Sequence, residues 1–334
     1  MRRTIIIGDI HGCFDELLEL LDEVDLRPDD LLVSVGDLVD RGPAPGEVVG
    51  LFRERPNSVV VMGNHERKHV RGIFSYAQEI TRLQLGDRYT ETVDWMRTRP
   101  YYFENDHVRV VHAAMLPGIP LADQKEEILC GSTSGERELA TLFPDGHWHD
   151  HYTDTKPVVF GHHVTGPEPM IRDGRIFGLD TGACHGWNLT ALCVPGFTVH
   201  SVRAHADHWS LAKRQWQLPV LKTRPWRDFS WPELAEAIAR FSSAPDAATR
   251  GWLEKLENWA AELRSSFPAL VATAHRLAGE LATDELRRHP AARFLFQARD
   301  GRLDQTSLAG QCSTPRRTID LATALGLVVR ELPD

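Results

Sequence analysis

The chain has 334 residues, 42% of them hydrophobic, and 38 Lys+Arg against 47 Asp+Glu give it a formal net charge of −9. Such a length can bury a large core and still carry an appendage. Two classes drop out at once: no apolar run approaches the ~18 residues that cross a bilayer, and no P-loop ending in Gly-Lys-Thr or Gly-Lys-Ser is present for a kinase.

Residues 4–7, 31–35 and 58–62 are apolar, β-branched runs that predict three buried strands. Each leads into a polar block: Gly8-Asp9-Ile10-His11-Gly12, then Gly36-Asp37-Leu38-Val39-Asp40-Arg41-Gly42, then Gly63-Asn64-His65-Glu66. Metal-binding residue types therefore gather at one edge of a sheet. Asp9 and His11 are two apart, so an extended backbone turns both to the same side, within reach of one cation. The other blocks add a carboxylate, an arginine, an amide and an imidazole, the set a two-metal phosphoester hydrolase needs. The start, Met1-Arg2-Arg3, is basic, but the apolar run 5–7 is too short for a signal peptide.

Further runs end at Val110-Val111-His112 and Val158-Val159-Phe160-Gly161-His162, and a strand is expected at 197–202. Composition then turns helical. Residues 209–225 read as a connector interrupted by Pro219 and Pro225. Ser230-Trp231-Pro232-Glu233 is a capping box that opens a helix running through Phe241. Trp252, Leu256, Trp259 and Leu263 share one face of a second helix, so these aromatics are packing residues. Pro268 begins a third helix, and residues 287–297 form a fourth.

Residues 1–221 hold 22 Lys+Arg against 32 Asp+Glu and 14 of the 16 histidines, whereas residues 222–334 hold 16 against 15. The chemistry thus belongs to the first part. Arg287-Arg288 and Pro315-Arg316-Arg317 could meet phosphates of a polynucleotide, but a nearly neutral region is a poor electrostatic footprint for one. The histidine-rich stretches 147–151 and 205–208 follow no buried strand and read as ordinary loop residues. Cys13, Cys130, Cys184, Cys193 and Cys312 are odd in number and lack a close CxxC pair, as expected of free thiols in a reducing cytoplasm.

The three blocks, in order and spacing, resemble the signature of the phosphoprotein phosphatase branch of the calcineurin-like metallophosphoesterases. The resemblance continues through His112, His162 and Leu179-Asp180-Thr181-Gly182 and covers residues 1–202. It is similar to the bacterial and bacteriophage members: protein phosphatases, symmetrical diadenosine tetraphosphatases and the phosphatase module of polynucleotide kinase-phosphatases. It implies an α/β fold, an αββα sandwich of two mixed sheets, here with a mainly helical C-terminal extension. Implied domains are a catalytic domain at 1–208, a connector at 209–229 and a helical accessory region at 230–334.

The resemblance assigns Asp9, His11 and Asp37 to a first metal and Asp37, Asn64, His112 and His162 to a second, with Asp37 bridging. The metals are two divalent ions, Mn²⁺ first, with Mg²⁺, Ni²⁺, Zn²⁺ or Fe as alternatives. Two such ions carry four positive charges, and two ligand carboxylates with a hydroxide leave one to meet a phosphate. Neutral His and Asn ligands suit that balance. Arg41 presents a planar fork to phosphate oxygens. His65 is implied as the acid that protonates the leaving oxygen, with Asp40 on its other ring nitrogen to raise its pKa. Glu66 supports the loop or the first helical turn rather than touching substrate.

Three departures stand out. Ala113-Ala114 replaces a glycine pair, His163-Val164 replaces Thr-Pro, and a Trp-x-Arg element carrying a second phosphate-binding arginine is missing. In its place stands Leu129-Cys130-Gly131-Ser132-Thr133-Ser134-Gly135-Glu136-Arg137, where Arg137, the small hydroxyl-rich loop or neither takes over. The expected activity is hydrolysis of phosphate monoesters, as in phosphoserine or phosphothreonine phosphatases, by attack of a metal-bridging hydroxide. Alternatives are a dinucleoside tetraphosphate, an RNA end, or a catalytically silent, metal-stabilised binding protein. The expected partner is thus a phosphorylated substrate, with no membrane; the sequence leaves the oligomeric state open.

Overall fold

A computed structural model describes residues 3–241 and 246–334; Met1 and Arg2 of the basic start lie outside the described residues. The chain divides into two compact units, Met1–Trp216 and Gln217–Asp334.

The first unit holds ten strands: β1 (Thr4–Ile7), β2 (Leu31–Ser34), β3 (Ser58–Val60), β4 (Tyr102–Glu104), β5 (Arg109–Val111), β6 (Val158–Phe160), β7 (Met170–Arg172), β8 (Ile176–Gly178), β9 (Asn188–Val194) and β10 (Thr198–Arg203). They form two mixed sheets of five, ordered β10-β9-β1-β2-β3 and β4-β5-β6-β8-β7. β1, β2 and β3 run parallel, as do β5, β6 and β8. Their carboxyl ends therefore point the same way within each sheet, which is where ligands collect in α/β folds.

Alternation along β1 explains the layering. Ile5, Ile6 and Ile7 are all 0% exposed. Ile5 and Ile7 pack on the outer face with Leu17 and Leu20 of α1 (Phe14–Glu23) and Val48 and Phe52 of α2 (Pro45–Glu54). Ile6 points inward, among Val33, Val110, Val159, Phe177 and Leu192 from both sheets. A strand buried on both faces reads as a continuous apolar run. Between β3 and β5 lie α3 (Asn64–Val70), α4 (Tyr76–Leu85) and α5 (Tyr89–Met96). The second sheet is covered by α6 (Glu126–Leu129) and α7 (Thr133–Leu142), whose Leu129 and Leu139 meet Val111, Val158 and Phe160. The result is the expected αββα sandwich.

The expected connector is instead helical. Residues 208–215 form α8 (His208–Gln215), and α9 (Gln217–Lys222) opens the second unit. Pro219 is tolerated because it sits in the first turn, where a backbone N–H has no helical partner to lose. The second unit continues with α10 (Trp231–Phe241), α11 (Ala247–Ser265), α12 (Phe267–Glu280), α13 (Thr283–Arg288), α14 (Ala292–Arg299), α15 (Gln305–Gln311) and α16 (Pro315–Ala324). Ser230 and Glu233 make the capping box ahead of α10, and Trp252, Leu256, Trp259 and Leu263 are buried along one face of α11. The helix expected over 287–297 is two helices, α13 and α14. Pro290 disfavours the helical region for His289, whose ψ is 137°, and the chain turns there. Arg287 and Arg316 are paired with Asp284 and Asp228.

Candidate metal centre

The three blocks and the two downstream histidines converge at the carboxyl ends of β1, β2, β5 and β6 and the start of α3. The backbone there is unusual. Of the eight non-glycine residues with positive φ among the described residues, five are His11, Asp37, Asp40, Arg41 and His162. Such conformations cost energy and concentrate where side chains must be aimed. Glycine is required beside them: a Cβ on Gly36, at φ 116°, would lie 2.8 Å from His112 Nδ1, and one on Gly63 would lie 2.2 Å from Asp37 Oδ1.

Asp37 stands at the centre. Its Oδ2 is 3.5 Å from His11 Nε2, and its Oδ1 is 3.4 Å from His112 Nε2. Each histidine is held by its other nitrogen: His11 Nδ1 donates to the Val39 carbonyl at 2.8 Å, and His112 Nδ1 donates to the Val35 carbonyl at 3.0 Å. Those bonds fix the tautomer and leave a bare Nε2 on each ring, the form that binds a metal. Asn64 Oδ1 lies 3.0 Å from His112 Nε2 and 3.1 Å from His162 Nδ1. Two lone pairs, the amide oxygen and His112 Nε2, thus face each other and repel unless positive charge lies between them.

Two ligand groups result, His11-Asp37-His65 and Asp37-His112-His162, each with its donor atoms within 4.8 Å of one another and both sharing Asp37. Asp9 is not in the first group. Both its oxygens accept the His162 amide at 3.1 Å, tying the end of β1 to that of β6. Burial, then the Asp180 and Asp37 charges, pushes the Asp9 carboxyl well up. Burial likewise raises Asp180, and takes Asp37 to about 6. Buried like charges of this kind are relieved by cations. The donor set fits two divalent ions.

Beside this pair, His65 Nδ1 donates to Asp40 Oδ2 at 2.5 Å, and Arg41 donates from Nη1 to His11 Nε2 at 2.9 Å and from Nη2 to His65 Nε2 at 3.0 Å. Burial lowers the His65 pKa and outweighs the opposing pull of Asp40, so the upward shift expected from the sequence is not found. Burial would raise Asp40, but hydrogen bonds from His65 and His69 overcome it and hold the carboxyl well down. Glu66 does support the loop, its carboxylate accepting from the amides of Asp37, Leu38 and Gly63 at 2.8–3.1 Å.

Arg137 is exposed on α7 and touches neither ligand group, but it lines a pocket that includes Asn64. The small loop before it is used locally: Ser132 Oγ caps α7 by accepting from Gly135 N. Four neighbours were given no role by sequence reasoning, although Asp180 and Glu136 lie in stretches it quoted. His69 Nε2 donates to Asp40 Oδ1 at 2.9 Å, and Gln78 donates to Asp40 Oδ2. Asp180 sits beside Asp9. Glu136 places Oε1 3.3 Å from His162 Nε2 and Oε2 3.4 Å from His163 Nε2. The only signal for Glu136 was its place in the segment that replaces Trp-x-Arg. Nor are the histidines of 205–208 ordinary loop residues: His208 Nε2 meets buried Glu16 at 2.6 Å, and His205 N donates to the same oxygen.

The calcineurin-like phosphoesterase family model matches residues 2–206. The symmetrical bis(5'-nucleosyl)-tetraphosphatase of Yersinia enterocolitica serotype O:8 / biotype 1B is 28% identical over 289 residues, spanning 63% of this chain and 97% of that protein. The protein of the same description from Salmonella paratyphi C is 36% identical over 136 residues, 37% of this chain; the match spans about half, 47%, of that relative. A crystal structure of a provisionally named diadenosine tetraphosphatase superposes with a TM-score of 0.51 at 27% identity, covering 61% of this chain and 94% of that one.

Proposed function

The chain belongs to the calcineurin-like phosphoesterases, and on that premise we propose that it hydrolyses phosphate esters at a centre of two divalent ions. The observation that carries this reading is Asp37, whose two oxygens face two histidines with metal-ready nitrogens. His11 and Asp37, with Asp9, would hold one ion; Asp37, Asn64, His112 and His162 would hold the other. When bound, the ions neutralise phosphate charge and acidify a water. We take Mn²⁺ as the first ion to test.

The remaining roles fall to Arg41, His65 and Asp40. Arg41 is the phosphate clamp, poised by its contacts to His11 and His65. Its charge is one of the influences that lower His65. When the guanidinium turns from His65 Nε2 to a phosphate, that nitrogen is freed to carry a proton to the leaving oxygen, and Asp40 then stabilises the charged ring. Catalysis is assigned to residues 1–208, with 209–229 as a joining segment and 230–334 as an accessory region. All five cysteines are free and buried, which supports a reducing cytoplasm. No helix among the described residues is long and apolar enough to cross a membrane.

Phosphate monoesters are the first substrate class on this reading. Dinucleoside tetraphosphates are the second, favoured by the descriptions of the two relatives. The test is turnover of p-nitrophenyl phosphate, a phosphopeptide, bis(5'-adenosyl) tetraphosphate and end-phosphorylated RNA by metal-stripped protein given Mn²⁺, Mg²⁺, Ni²⁺ or Zn²⁺. Metal-dependent turnover of at least one is expected; none with any ion, from folded and metal-loaded protein, refutes the reading.

A further inference from the structure

α3 begins at Asn64 and carries Arg67 and Lys68, with Arg71 as the residue that caps its end; they stand third, fourth and seventh beyond Asn64, so all four lie on one side. The cations line a pocket of about 360 Å³ together with Arg137 and the loop Gly131 to Ser134. This volume is roughly that of a dozen liquid waters, more than one orthophosphate fills. The pocket opens directly on the metal centre. Asn64 belongs to both, and the loop closes against His162 so tightly that a Cβ on Gly131 would lie 2.7 Å from His162 Nε2.

The charges there are only partly used. Arg67 and Arg71 share the Glu127 carboxylate, Arg71 at 3.6 Å. Lys68 and Arg137 have no side-chain hydrogen bond or ion pair among the described residues, and the Nε of buried Arg67 has no partner either. Four cations against one carboxylate leave the pocket strongly positive on a chain of net charge −9. Nearby Glu136 is engaged with His162 and His163. A focused positive cleft in an acidic protein attracts anions locally, where the remainder of the surface repels them.

We propose that this pocket is a second anion site, which holds a phosphoryl group of the substrate other than the one being cleaved, and that the substrate is therefore a chain of phosphates. A lone phosphate ester would leave Lys68, Arg71 and Arg137 unused. The proposal rests on the hydrolase reading, puts phosphate chains ahead of the monoesters ranked first there, and adds the residues that select length. The chain is either bare polyphosphate or a polyphosphate capped by nucleosides, and both present the same oxygens to the cations.

The test compares the full chain with a Lys68→Gln/Arg71→Gln double variant by calorimetric titration in excess Mn²⁺, with tripolyphosphate, bis(5'-adenosyl) tetraphosphate and orthophosphate as probes. The double variant should weaken binding of the phosphate chain at least tenfold and of orthophosphate less than threefold. Tightest binding of the capped chain in the wild type identifies a nucleotide substrate, and tightest binding of tripolyphosphate a bare one; both support the site. Equal weakening of all probes, or wild-type protein that binds tripolyphosphate no more tightly than orthophosphate, overturns it. If the double variant does not fold, the exposed Arg71→Glu change alone must give the same selective loss. Failure of the hydrolase reading is seen separately, as an absence of turnover while the binding difference persists.

Discussion

Glu16 gives the most quantitative test of how the catalytic unit is held together. It lies in the first turn of α1, shortly after the block that carries Asp9 and His11, and is only 1% exposed. Burial alone would raise its pKa, but His208 and the His205 amide donate to Oε1 and bring it from 4.5 down to about 2. Because the folded pKa is depressed, the stabilisation is present above the unfolded pKa and is lost as pH falls through the folded one. Two and a half units at ~1.4 kcal/mol each give about 3 kcal/mol at pH 7, of which less than half is left at pH 3. Glu16→Gln should therefore lower stability at pH 7 by about 3 kcal/mol, a substantial part of a typical 5–15 kcal/mol. Urea titrations of wild type and variant from pH 7 to pH 3, followed by near-ultraviolet circular dichroism, should yield curves that converge as pH falls. A gap that stays constant over that range would refute the reasoning, because the loss would then come from packing and not from the charge.

Asp37→Asn should lower bound metal and turnover together, by elemental analysis and assay; two tightly held ions with near-normal turnover would remove the bridging role. His65→Ala should slow an alkyl phosphate far more than p-nitrophenyl phosphate, since an acid matters most for a poor leaving group, with about 10² to 10⁴ expected on the former. Equal losses would mean that His65 binds or supports instead. Glu136→Gln should weaken metal affinity by roughly 10- to 100-fold through the orientation of His162, read by calorimetric metal titration; unchanged affinity would leave Glu136 a role toward His163 alone. A chain ending at Trp216 should remain folded and keep turnover of p-nitrophenyl phosphate, because every proposed ligand lies in the first unit. A folded, metal-loaded truncation without activity would place part of the site in the helical region.

The central strands were legible in the sequence because they are buried on both faces: runs such as Ile5-Ile6-Ile7 have nowhere else to go, and the polar block after each run marks where the strand ends; their stacking into a sandwich was implied by the resemblance alone. The polar residue types of the site were legible for the same reason, each candidate ligand lying one to four residues beyond such an end, while their division between two metals came from the resemblance. Errors fell where local signals competed. Pro219 signals a break locally although a first turn accepts it, and Pro290 splits a stretch whose composition alone predicts one helix.

By itself the sequence determined which residue types stand at the strand ends, and so the class of chemistry. Tertiary structure alone decided how they are held. Asp40 is shared by His65 and His69 from α3 and by Gln78 from α4; Glu136 reaches His162 from another helix; and Lys68, Arg71 and Arg137 meet around one pocket from segments more than sixty residues apart. A strand end is a local event, written in a few adjacent residues by their periodicity. A hydrogen-bond partner or a shared cavity depends on how separate helices pack, and no short stretch of sequence encodes that distance.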